Sequence, residues 1–222
     1  MKHLTVVQNP LVKRDITYLR NKETKEYQFR LALRRISYAL VNEISNQFAL
    51  KEIEVETPLE VTKGFKLEHQ IVLVPVLRAG LSMVTAFIEM IPDAKVGHIG
   101  LQRDEETLQP VDYYYKTPKN LDVSKVIVLD PMLATGGSGS AALSYLKERG
   151  AHDLIFCCLI AAPEGVSRLE KDHPEVPVFT AALDRELNGS GYILPGLGDA
   201  GDRTIQHRTF IKLFRQNIFF CC

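Results

Sequence analysis

Apolar residues recur at three- and four-residue steps from about Lys25 to Phe48, at Phe29, Leu33, Ile36, Leu40, Ile44 and Phe48. That period predicts an amphipathic helix with one face toward a core. Residues 51–57 alternate charge with Ile53 and Val55, which predicts a half-exposed strand at a sheet edge. The centre of the chain changes character. Nearly continuous apolar runs at 71–77, 126–129, 154–162 and 176–182 predict strands buried on both faces. Helices are predicted at 81–91, 140–149 and 163–171, with Gly150 suited to end the second and Pro163 to begin the third. The fold class is therefore α/β, a parallel sheet flanked by helices. Residues 109–115 break the rhythm: alternating and Tyr-rich after the acidic turn Arg103-Asp104-Glu105-Glu106, they predict a projecting β-hairpin arm.

Composition adds bounds. With 222 residues, 45% hydrophobic and 24% charged, the chain can bury a core without disulfides or metal. One domain over residues 1–203 is expected, followed by an atypical tail at 204–222 that mixes basic and aromatic residues and lacks any acid. A membrane anchor within 210–215 is an alternative for part of that tail, but the segment is short. Lys plus Arg equals Asp plus Glu at 27 each, so no overall field draws the chain to nucleic acid or an acidic membrane, and any anion site must be local. The cysteines fall as two adjacent pairs, Cys157-Cys158 and Cys221-Cys222. That spacing supports neither a zinc site nor a disulfide framework, and free thiols fit a reducing compartment. Met1-Lys2-His3-Leu4-Thr5 leads into polar sequence with no apolar targeting region, so a cytoplasmic location is expected.

The densest chemistry lies in Val126-Ile127-Val128-Leu129-Asp130-Pro131-Met132-Leu133-Ala134-Thr135-Gly136-Gly137-Ser138, which passes from a buried strand through a small-residue loop into a helix. Ligands of parallel sheets sit beyond the carboxyl ends of the strands. Thr135, Gly136, Gly137 and Ser138 would there offer N–H groups at a helix N-terminus with hydroxyls beside them, a cradle for phosphate. Asp130 would accept hydrogen bonds from the hydroxyls of a sugar bearing that phosphate. For a bare Thr-Gly-Gly, a turn that uses its glycines only to turn is the plainer alternative.

Tyr192-Ile193-Leu194-Pro195-Gly196-Leu197-Gly198-Asp199-Ala200-Gly201-Asp202-Arg203 contains a G-x-G-x-x-G at Gly196 to Gly201. A dinucleotide fingerprint needs a long helix next and an acid about twenty residues on. Neither follows, and no acid occurs after Asp202. Pro195 and the glycines instead make a loop whose bare backbone can approach a small planar base. Arg78, in Val76-Leu77-Arg78-Ala79-Gly80-Leu81, ends another buried strand and suits a pyrophosphate. An arginine at a strand end is also an ordinary surface residue, and Arg103 has the same alternative as a solvated turn charge.

The nine residues Asp130 to Ser138 resemble the loop that binds 5-phosphoribosyl-1-pyrophosphate (PRPP) in the type I phosphoribosyltransferases. The form is that of the uracil branch, where Pro131 stands in place of a second acid. The resemblance runs from Asn9-Pro10-Leu11-Val12 through Arg203 and is lost in 204–222. It implies a type I fold with a uracil-binding C-terminal loop, and pyrimidine salvage that yields UMP and pyrophosphate. PRPP would be held by Arg78, Arg103, Asp130, Pro131, Met132, Leu133, Ala134, Thr135, Gly136, Gly137, Ser138 and Asp199. Uracil would contact Ile193, Gly198, Asp199 and Ala200, and the catalytic roles would fall to Asp130 and Asp199.

The resemblance further implies Mg2+ carried by PRPP with no metal site of the protein's own, a homo-oligomer, and GTP as an effector as in some family members. No serine or cysteine nucleophile is expected, because substitution at the anomeric carbon needs positioning and charge stabilisation. PRPP hydrolyses easily, so the arm at 104–115 is expected to serve as a lid. Two rivals share the fold: an RNA-binding regulator, which would want a basic face, and a transferase for another base. The balanced charge speaks against the first and the loop at 192–203 against both. A nucleoside kinase is excluded by the lack of a G-K-[ST] P-loop.

Overall fold

The computed structural model describes residues 3–103 and 110–205. The acidic turn at 104–106, the tip of the arm and the tail beyond 205 lie outside the described residues. In chain order the elements are β1 (Leu4–Val6), α1 (Pro10–Arg20), α2 (Glu26–Ile44), β2 (Leu50–Glu56), β3 (Val61–Leu67), β4 (Gln70–Leu77), α3 (Leu81–Met90), β5 (Lys95–Val96), β6 (His98–Arg103) and β7 (Pro110–Lys116). Then come β8 (Ser124–Leu129), β9 (Met132–Leu133), α4 (Gly137–Glu148), β10 (Asp153–Ala161), α5 (Pro163–Asp172), β11 (Val178–Leu183), β12 (Glu186–Leu187), β13 (Ile193–Leu194) and α6 (Ala200–Ile205).

The sheet runs β1-β11-β10-β8-β4-β6-β7, with β5 on β4 and β9 on β10. Every pairing in it is parallel except β6 with β7, which is the predicted hairpin arm. The apolar runs are central strands because both their faces are covered. Ile71, Leu73, Ile127, Leu129, Ile155 and Cys157 point toward α1, α2 and α3. Their neighbours Val72, Val74, Val126, Val128, Phe156 and Cys158 point the other way, toward Leu143 and Leu146 of α4 and Val166 and Leu169 of α5. Alternation about a pleat thus turns one continuous apolar sequence into two cores. Cys157 and Cys158 are free, buried thiols on opposite faces.

Several boundaries differ from expectation for visible reasons. The first long helix stops at Ile44 and tightens into a 3-10 turn at Ser45–Gln47. The fourth sheet run begins at Val178, since Pro177 has no N–H to give a ladder. The strand expected at the sheet edge is not in the main sheet: β2 pairs only with β3, in a separate antiparallel ribbon exposed on both faces. α1 was not foreseen, although Asn9 caps it by accepting the Val12 N–H at 2.9 Å and Pro10 opens its first turn.

Candidate active site

The loop after β8 is pinned along β10 by its own backbone. Asp130 N–H donates to the Cys157 carbonyl at 3.1 Å, and the Pro131 carbonyl accepts from Leu159 and Ile160 at 3.0 and 3.2 Å. Ala162 N–H donates to Leu133 O at 2.9 Å, carrying the loop to the foot of α5. The Asp130 carboxylate accepts the Met132 N–H at 3.3 Å. Burial pushes the Asp130 pKa up to about 7, against the pull of that N–H. The side chain still keeps part of its surface open to a cleft.

The chain then turns at Gly136, whose φ of 77° only glycine adopts freely and where a Cβ would stand 2.9 Å from Gly165 O. Thr135 Oγ1 accepts the Gly137 N–H at 3.4 Å, and α4 begins there rather than at residue 140 as the sequence predicted. Its first-turn N–H groups have no partner within a helix, which is the requirement of a phosphate cradle. Thr135 and Ser138 are exposed beside them. Leu133 is buried in the α4–α5 core, so only its backbone faces the loop's function.

The second loop is built by a short ribbon, β12 with β13, closed by Asn188. Asn188 Oδ1 accepts the N–H groups of Ser190 and Tyr192, each at 2.9 Å. Gly191 in that turn lies near Thr135: a Cβ there would stand 3.7 Å from Thr135 Cγ2. Beyond β13 the Leu194–Pro195 peptide is cis, and Gly196 and Gly198 take φ of 63° and 79°. A Cβ at Gly196 would meet Ile193 O at 2.2 Å. Asp199 Oδ1 accepts the Asp202 N–H at 3.0 Å and so starts the six-residue α6, which is no dinucleotide helix.

Two side chains outside this loop, Asp184 and Arg20, and one at its end, Arg203, hold it in place. Asp184 accepts the Gly196 N–H at 2.9 Å and pairs through both carboxylate oxygens with Arg20 of α1. Arg203 stacks over the Phe29 ring at 4.4 Å and donates to the carbonyls of Leu197 at 2.9 Å and Asn21 at 2.8 Å. None of Asp184, Arg20 and Arg203 was singled out as site support from the sequence. The available signal for Asp184 was its position just after a buried strand, where Asp130 stands after β8.

A cleft of about 230 Å³ lies where the two loops meet, lined by Ala79, Asp130, Pro131, Met132, Ala134, Gly191, Tyr192, Ile193, Gly198, Asp199, Ala200 and Gly201. The structure therefore brings together the residues expected for ribose and those expected for the base. Thr135, Gly136, Gly137 and Ser138 do not line the cleft but form the turn next to Ala134, which does. Arg78 lies elsewhere: it is exposed and lines a larger cavity of about 630 Å³ between α2 and α3, which shares only Ala79 with the cleft. Gly80 seats that turn against β8, since a Cβ there would be 2.3 Å from Leu129 O. Arg103 ends β6 opposite Pro110, and its side chain lies outside the described residues.

A family model described as uracil phosphoribosyltransferase matches residues 6–206. Curated relatives of that name include one from Salinibacter ruber, 52% identical over 91% of this chain and 97% of its own. Another, from Fervidobacterium nodosum, is 53% identical over 90% and 97% of the two chains. A solved structure of a protein from Aquifex aeolicus superposes with a TM-score of 0.85 at 38% identity, covering 91% of this chain and 97% of that one. A purine phosphoribosyltransferase from Pyrococcus horikoshii, at 15% identity and a TM-score of 0.51 over 70% and 85% of the chains, shares the fold.

Proposed function

The chain belongs to the uracil phosphoribosyltransferase family, and we propose that it transfers the phosphoribosyl group of PRPP to free uracil, giving UMP and pyrophosphate. The observation that carries this reading is the cleft in which Asp130, Pro131, Met132 and Ala134 face Ile193 and Gly198 to Ala200. A ribose bound at Asp130 and a base bound at the second loop would then be neighbours. The N–H groups of Gly136, Gly137 and Ser138, with the hydroxyls of Thr135 and Ser138, would take the 5′-phosphate. The backbone of Gly198 to Ala200 would hydrogen-bond the uracil edge while the Ile193 side chain covers its face.

In the reaction the C1–pyrophosphate bond breaks and a C1–N1 bond forms, with the N1 proton released. The transition state carries oxocarbenium character at the sugar and growing charge on the leaving group, so fixed dipoles and cations suit it. Arg78, next to Ala79 where the neighbouring cavity meets the cleft, would take the pyrophosphate with Arg103, Asp130 the ribose hydroxyls, and Asp199 the ribose from the base side. Among the described residues no group of three or more His, Cys, Asp or Glu is set to hold a metal. Asp130 and Asp199, both on the cleft, fit a hydrated Mg2+ that arrives on PRPP, since this hard cation takes oxygen ligands and keeps its waters. When bound it neutralises pyrophosphate charge.

The β6–β7 arm would serve as the lid over this site. Assembly as a homo-oligomer is supported by the β2–β3 ribbon, which leaves Leu59 95%, Val61 63% and Phe65 64% exposed. GTP as effector rests on the family resemblance alone. A cytoplasmic location is supported by the free thiols of Cys157 and Cys158. The catalytic unit would comprise residues 1–203, with 204–222 appended.

Purified protein mixed with PRPP, Mg2+ and radiolabelled uracil, with cytosine, orotate and hypoxanthine in parallel, tests the reading. UMP from uracil alone is the expected result. Nucleotide from another base at a comparable rate, or none from uracil, would overturn it.

A further inference from the structure

The proposed phosphate loop is braced from behind by α5, a helix that does not line the cleft. At its first turn Gly165 packs so closely that a Cβ there would stand 2.5 Å from Ala134 O and 2.8 Å from Leu133 O. Just beyond its last turn His173, only 4% exposed, reaches across to α4. Lys147 Nζ stands 2.7 Å from His173 Nδ1. An ammonium only donates, so Nδ1 is the acceptor and the ring proton sits on Nε2. Nε2–H then donates to the Ser140 carbonyl at 2.9 Å. Ser140 Oγ in turn donates to Asp172 at 2.7 Å, and Ser140 N–H donates to Gly136 O at 2.8 Å. Ser140 thus joins the turn at Gly136 to the far end of α5.

We propose that His173 is a positioning residue for PRPP: by holding Ser140 it fixes the first turn of α4, and with it the N–H groups that receive the 5′-phosphate. This inference rests on the PRPP reading above. The charged groups facing the imidazole are Lys147 from α4, Asp172 from α5 and Glu175 from the following turn. Lys147 also pairs with Glu175, and Asp172 with Arg168. Burial is the largest influence on His173 and lowers its pKa from the usual 6.5, so the neutral tautomer that the hydrogen bonds require is the stable one.

The test compares wild-type protein with His173→Phe, which fills the ring's space without polar atoms, and His173→Gln, which returns a donor near Nε2. PRPP binding is measured by calorimetry without uracil, beside initial rates with both substrates. His173→Phe is expected to weaken PRPP binding and raise its KM about fivefold to tenfold while the KM for uracil stays within about twofold, and His173→Gln to recover most of the loss. His173→Leu, which likewise removes the donor to the Ser140 carbonyl, is expected to shift PRPP affinity the same way and repeats the test should the Phe variant not fold. Unchanged PRPP affinity in these variants overturns the inference, as does an equal loss for both substrates with no rescue by Gln. Wild-type protein that binds no PRPP overturns the transfer reading and this inference with it. Wild-type protein that binds PRPP but forms no UMP sinks the transfer reading alone, and the binding measurements then decide the role of His173.

Discussion

Asp184 accepts the backbone N–H of Gly196 at 2.9 Å while its carboxylate is paired with Arg20. The apex of the proposed base loop is therefore fixed by an ion pair that reaches to α1, outside the cleft. Removing the carboxylate leaves a buried N–H and a largely covered guanidinium without a partner. Asp184→Ala is expected to cost about 2–3 kcal/mol in urea unfolding. It should also raise the KM for uracil more than that for PRPP. A fully stable variant with unchanged uracil KM would contradict this role.

Two glycines separate the loops' duties. Gly196→Ala would set a Cβ 2.2 Å from Ile193 O at a φ of 63°, so the base loop must move. Gly165→Ala would set one 2.5 Å from Ala134 O and push the phosphate loop instead. Steady-state kinetics should show uracil binding chiefly impaired in the first and PRPP binding chiefly impaired in the second. The same pattern in both variants would show that the loops are not held independently.

Asp130 has a pH signature. Its folded pKa of about 7 lies above the ordinary 3.8, so the fold binds the proton more tightly than the unfolded chain does. Its contribution to stability is complete below the ordinary value and is lost as pH rises through about 7. Asp130→Asn cannot ionise, so denaturation should find it more stable than wild type at about pH 8, with the gain gone near about pH 4. The same variant should lose roughly a hundredfold in kcat/KM for PRPP, since an acceptor for the ribose hydroxyls is removed. A stability gain that does not vary with pH would contradict the burial of this carboxylate.

The exposed ribbon makes a further prediction. Replacing Leu59, Val61 and Phe65 together by serine should lower the mass seen by sedimentation equilibrium while leaving the circular dichroism of the core unchanged. An assembly that survives this change would place the interface elsewhere.

The sheet was legible in the sequence because strands buried on both faces must be apolar throughout, as at Ile71 to Val74 and Val126 to Leu129. The strand-to-helix turn from Asp130 to Ser138 was legible because a buried apolar run gives way there to small residues and glycine. What escaped was everything set by three-dimensional neighbours. β3 lacks an apolar face to betray it, and Arg20, Asp184 and His173 read as ordinary charged or polar residues until the fold pairs them. Arg78 shows the converse: sequence grouped it with Asp130, whereas its side chain lies on the neighbouring cavity between α2 and α3.

The central claim is that one cleft holds ribose and base with the phosphate on the turn beside it, and a crystal structure with UMP tests it most directly. The phosphate is expected against the N–H groups of Gly136 to Ser138, the ribose hydroxyls on Asp130, and the uracil between Ile193 and Gly198 to Ala200. UMP seated instead in the cavity between α2 and α3, or with its base away from the 193–200 loop, would contradict that assignment.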